Sequence, residues 1–232
     1  MRNVSVLLFP IILAGCNSDD IDLPDLDQRV IAETNFNNGK GGWEAGFSDY
    51  PQGDEETYEF ESKISEIPDS DVKGFYLSAM NRSDDVFMYL KKHVTGLTPN
   101  QRYLLEGTIE FNTNAGVECL GIGGSPGESV YLKAGATEIE PAQADYYMNI
   151  DIGSQSQSGS DSVVLGTIGV ENVACDSEKA VGQKVLTFRN EDGFEFISSV
   201  EGDIWLYFGT DSGFEGNTKM IYRKSAFTIT PV

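Results

Sequence analysis

The stretch GTDSGFEGN, Gly209 to Asn217, holds Asp211-Ser212-Gly213, a core shared by two protease signatures, with a second carboxylate at Glu215. A serine nucleophile needs a base within hydrogen-bond reach and a third group to orient that base. The chain has one histidine, His93, in LKKHVTG just before a turn, and Thr210 rather than glycine precedes Asp211. Aspartic protease chemistry needs two such turns whose carboxyls share a proton, and the sequence offers one. The hydrolase elbow Gly-x-Ser-x-Gly is missed because Ser212 is one position off. Two readings remain. Asp211, Glu215 and Asn217 alternate side-chain oxygens with glycine, as calcium loops do; the other reading is a solvated hairpin bend.

In YEFES, Glu59 and Glu61 are expected on one strand face, about 7 Å apart, whereas a retaining glycosidase sets its carboxyls about 5–5.5 Å apart. They read as like charges on a solvent face. GIGGSPGES places Glu128 where a phosphate loop would need lysine, so it reads as a flexible loop. The sequence shows neither a nucleophile–base pair nor an acid–base pair, so a non-catalytic protein is expected. The rival is a jelly-roll glycosidase or polysaccharide lyase carried by Glu59, Glu61 or other carboxylates not adjacent in the sequence. Binding chemistry is better represented. Trp43, Asp49 and Tyr50 lie in one Gly-rich stretch; flat rings stack on the apolar face of a pyranose while carboxylates take its hydroxyls. These three are the candidate ligand site, the alternative being that Trp43 plugs one end of the fold. Trp205 and Tyr207 share a strand face opposite Ile204, Leu206 and Phe208, and Trp205 reads as core or as packed under a loop.

The elements that must position these groups are strands. RYLLEGTIEFNT puts Tyr103, Leu105, Gly107, Ile109 and Phe111 on one face, the period-two pattern of a half-buried strand. TYEFES, GFYLSAM, DVFMYLKKHV, SVYLKAG, YYMNIDIG, KVLTFRN, DIWLYFGT and SAFTIT read alike, separated by Gly, Pro, Asn and Asp clusters. Spacing of about ten residues predicts an all-β, two-sheet antiparallel sandwich of jelly-roll kind. GSQSQSGSDS, residues 153–162, reads as a long exposed loop. The 232 residues carry 37 acidic and 16 basic side chains, a net charge of −21. Such a chain repels phosphate backbones, which excludes nucleic acid as a partner; it attracts divalent cations, and calcium is the cofactor to expect.

The N-terminus adds a resemblance. One basic residue, the apolar run VSVLLFPIIL and then LAGC, Leu13 to Cys16, resemble the signal and lipobox of bacterial lipoproteins. The apolar run is too short to span a bilayer, so no transmembrane helix is expected in the mature protein. The resemblance implies a signal at 1–15, acylation of Cys16, an acidic tether over 16–28 and a domain over 29–232. Each acyl CH₂ buried in the membrane contributes about 0.8 kcal/mol. Asn17 after the cysteine implies the outer membrane. With Cys16 lipidated, Cys119 and Cys175 remain in an oxidising compartment and are expected to pair. AETNFNNGKGGWEAGF and VTGLTPNQRYLLEGTIEF resemble the opening loop and central strand of carbohydrate-binding jelly rolls. The second pattern also recurs in fibronectin-type sandwiches, so it speaks for a sandwich more than for sugar. Together the expectation is a lipid-anchored envelope protein that binds a glycan or similar ligand, the alternative being a purely structural envelope protein.

Overall fold

The computed structural model describes residues 29–232. The signal, Cys16 and the tether lie outside the described residues. Along the chain come β1 (Val30–Asn35), β2 (Glu44–Ser48), a one-turn helix α1 (Glu55–Tyr58), β3 (Glu61–Glu66), β4 (Lys73–Met80) and β5 (Phe87–Thr95). They are followed by β6 (Arg102–Thr113), β7 (Val130–Thr137), β8 (Gln143–Ala144), β9 (Tyr147–Met148) and β10 (Ser162–Thr167). The last are β11 (Gly182–Phe188), β12 (Phe194–Ile197), β13 (Asp203–Ser212) and β14 (Asn217–Pro231). All the strand pairings are antiparallel.

The strands form a two-sheet sandwich. One sheet runs β11-β6-β14-β4-β3, with β1 added on β14 and β12 on β6; the other runs β10-β7-β13-β5-β2. Strand alternation decides which side chains meet between them. Tyr103, Leu105, Ile109 and Phe111 of β6 are buried there, as are Ile204, Leu206 and Phe208 of β13 and Leu132, Ala134 and Ala136 of β7. Gly107 is needed at its place in β6: a Cβ would lie 2.8 Å from Phe227 and 2.9 Å from Phe188. Cys119 and Cys175 form a disulfide, which closes a loop of 56 residues and stabilises the fold by about 4 kcal/mol in chain-entropy arithmetic.

Three stretches fold differently from their pattern. TYEFES is not one strand: Tyr58 ends α1, Glu59 takes a left-handed turn at φ 51, and β3 starts only at Glu61. YYMNIDIG supplies only the two-residue strand β9. It belongs to a covering segment, residues 138–161, in which Met148, Ile150 and Ile152 pack on Phe87, Tyr89 and Tyr207. These last three point out of the five-stranded sheet, and so large an apolar face needs a cover. GSQSQSGSDS closes that segment; it is polar and largely exposed, but anchored by the Gln155 N–H to Asp211 Oδ2 at 2.8 Å.

Candidate functional site

The residues proposed as a ligand platform are core residues. Trp43 is 1% exposed. Its Nε1–H donates to Thr34 Oγ1 at 3.0 Å and its ring meets Phe208 edge-on at 4.8 Å. The reason is local: β1 and β2 belong to different sheets, so the Gly-rich connection turns the ring inward between them. Tyr50 is buried against Tyr58 and Phe60. Asp49 is 5% exposed, at φ 65, and accepts from Ser48 Oγ at 2.6 Å. The two carboxylates expected at a metal site differ in their settings. β13 continues to Ser212, so Asp211 is a strand residue inside the protein while Glu215 is exposed in the following turn. Among the described residues, no group of three or more His, Cys, Asp or Glu side chains suits a metal ion. Glu59 and Glu61 go to separate partners, Arg82 at 3.8 Å and Lys63 at 2.8 Å.

The outer face of the five-stranded sheet instead gathers the polar chemistry, in two halves. Under the covering segment, Lys133 Nζ lies 2.8 Å from Asp211 Oδ2, the two side chains 0% and 3% exposed. Lys133 also donates to the Ile152 carbonyl at 2.7 Å. Burial pushes the Asp211 carboxyl up, and Lys133 opposes that shift. Burial likewise lifts Asp49 to about 7, with Asp85 and Asp211 adding repulsion, and lifts Asp85 to about 6. Perturbed carboxyls of this kind are where catalysis is usually sought. Here the cover shuts Asp49 and Asp211 off from substrate. It is tied down by the Asp49 N–H to the Tyr146 carbonyl at 2.9 Å and by the Tyr207 hydroxyl to the Asp161 carbonyl at 2.7 Å.

The other half is open. Trp205, opposite His93 on β5 and Thr137 on β7, is only partly buried. The His93 ring stacks on it with centroids 4.8 Å apart, and Lys91 Nζ lies 5.5 Å from the ring centre. His93 Nε2 is 2.6 Å from Asp203 Oδ2, and the Ser199 hydroxyl donates to Asp203 Oδ1. These partners, Ser199 first, hold the Asp203 carboxyl below its ordinary range. Lys91 Nζ also pairs with Glu140 at 2.6 Å. Beside Thr137 begins a cleft of about 350 Å³, walled by Ile139, Phe194, Phe196 and Ile197, with Glu138, Asp161 and Glu195 at its sides. The outward parity of Trp205 was readable from β13. Its exposure was not, because that depends on where a cover from residues 138–161 stops.

The molecule is thus a β-sandwich with a partly exposed tryptophan on the outer face of the five-stranded sheet and, next to it, a cleft at the sandwich edge, between the end of β7 and β12 of the other sheet. No protein family model and no curated protein matches the chain. Solved structures to which it is similar include the carbohydrate-binding module TmCBM61 in complex with β-1,4-galactotriose, at 12% identity and TM-score 0.39, covering 83% of this chain and 92% of that one. The module TmCBM27, described for mannan recognition, matches at 12% identity and TM-score 0.38, over 88% of this chain and 96% of that one. The Cry4Aa toxin of Bacillus thuringiensis matches at 11% identity and TM-score 0.35, over 74% of this chain and 21% of that one. Likenesses this distant, to proteins of such different roles, carry no functional argument; the architecture rests on the strand pairing itself.

Proposed function

We propose that the chain is a lipid-anchored outer-membrane protein whose sandwich binds a glycan on the open half of the five-stranded sheet, without catalysis. The observation that carries this reading is Trp205. It stands partly exposed beside a cleft of about 350 Å³ that combines apolar walls with hydroxyl and carboxylate groups. Sugar recognition uses this pairing of a ring face with polar groups for the hydroxyls. His93 occupies one face of the indole, and the reading assigns the ligand to the other. Cys16, by its lipobox, is the anchor; Cys16→Ser is expected to release the protein from membranes or leave it unprocessed. Calcium has no part in the reading, because at Asp211 it would have to displace Lys133 from the carboxylate. A glycan array probed with the purified protein tests the binding: a hit lost on Trp205→Ala supports it, and an array without hits refutes it.

A further inference from the structure

The chemistry of the cleft narrows the ligand further, given the glycan reading above. Among its described lining residues are three carboxylates, Glu138, Asp161 and Glu195, and no lysine, arginine or histidine. Its remaining walls are the apolar side chains of Ala136, Ile139, Phe194, Phe196 and Ile197, with Thr137 and Ser160 adding hydroxyls. The nearby cations are already committed to carboxylates, Arg102 to Glu195 at 3.1 Å and Lys91 to Glu140 at 2.6 Å, and the His93 ring is hydrogen-bonded to Asp203 at 2.6 Å. A uronate or sulfate entering this cleft would meet the like charges of Glu138 and Asp161 and would have to compete with Glu195 for Arg102. The whole-chain charge of −21 slows the approach of anions as well. A neutral ring loses nothing by the same contacts. Its hydroxyls donate to the carboxylates, and its C–H face lies on the phenylalanine and isoleucine side chains.

Cleft and tryptophan adjoin: the cleft lies at the sandwich edge, where the end of β7 meets β12 of the other sheet. Thr137 lines the cleft and is the β7 residue paired with Trp205, which is paired in turn with His93 on β5. The next strand on that side is β2, whose Glu44 is opposite Lys91. Crossing from β7 to β2 covers about 14 Å at about 4.8 Å per strand, a length for several linked rings rather than one. We infer that the open half of the sheet takes a neutral, hydroxyl-rich oligosaccharide lying across the strands from the cleft over Trp205, and that it rejects anionic glycans.

The test is a matched pair of ligands. Neutral β-1,4-linked oligosaccharides of glucose, mannose, galactose and xylose are titrated by calorimetry at low salt against the purified protein. The uronates of the hexose series, which differ only in carrying a carboxylate in place of CH₂OH, are titrated beside them. The expected result is binding of at least one neutral oligosaccharide, with its uronate weaker by roughly tenfold or more. The variant Glu138→Gln changes only an exposed side chain, so it keeps the fold, and it leaves Glu195 in place to hold Arg102; it is expected to bring the uronate closer to its neutral counterpart. A uronate bound as tightly as the neutral form, or discrimination unchanged in the variant, overturns the inference and leaves glycan binding standing. Binding of neither series overturns both.

Discussion

The buried carboxyl at Asp49 makes stability depend on pH in an unusual direction. Burial lifts its pKa from 3.8 to about 7, so the folded state holds a proton that the unfolded chain has released. Stability from this group is fully present below about pH 4 and is lost as pH rises through about 7. At about 1.4 kcal/mol per unit, a lift of roughly three units corresponds to about 4 kcal/mol, an upper bound because the buried site relaxes. Asp49→Asn isolates the effect. Asparagine tolerates the left-handed backbone at φ 65, and its amide oxygen can still accept from Ser48 Oγ. Urea unfolding of both proteins from pH 4 to 8 is the assay. The variant is expected to match the wild type near pH 4 and to exceed it by up to about 4 kcal/mol at pH 8. Taking the difference between the two cancels the general self-repulsion of an acidic chain. A difference that stays constant across the window refutes the reasoning.

Further outcomes follow from the same contacts. Lys133→Met leaves Asp211 buried without its cation and is expected to cost about 3–5 kcal/mol in urea unfolding; adding Asp211→Asn recovers part of that. Trp43→Ala opens a cavity in the core, costing about 3–5 kcal/mol, yet leaves the glycan affinity of the molecules that remain folded unchanged by calorimetry. Replacing Cys119 and Cys175 together by serine is expected to lower stability by about 4 kcal/mol, with both wild-type cysteines resisting alkylation until reductant is added.

The fold was largely legible because period-two alternation is a local property. RYLLEGTIEFNT has the same bounds as β6, and Ile204, Leu206 and Phe208 separate from Trp205 and Tyr207 as their parity requires. What escaped was set by contacts distant in the chain. The segment 138–161 reads as loops and strands, but it serves as a lid over Phe87, Tyr89 and Tyr207. Lys133 and Asp211, 78 positions apart by their numbers, meet only because β7 and β13 are neighbours. The burial of Trp43 and the partial exposure of Trp205 escaped for a related reason. A Gly-rich stretch can turn a ring either way, and Thr34 across the β1–β2 connection supplies the partner that draws Trp43 inward.

Trp205 is the residue on which the proposed glycan binding turns. Trp43 is enclosed and Trp205 partly exposed, so tryptophan fluorescence can report on the site during titration with a neutral oligosaccharide that binds on the array. The account predicts a saturable change in the wild type that disappears in Trp205→Phe, and calorimetric affinity roughly tenfold lower in Trp205→Ala, the cost of about 1.4 kcal/mol of ring stacking. Glycan affinity unchanged by both substitutions would contradict it.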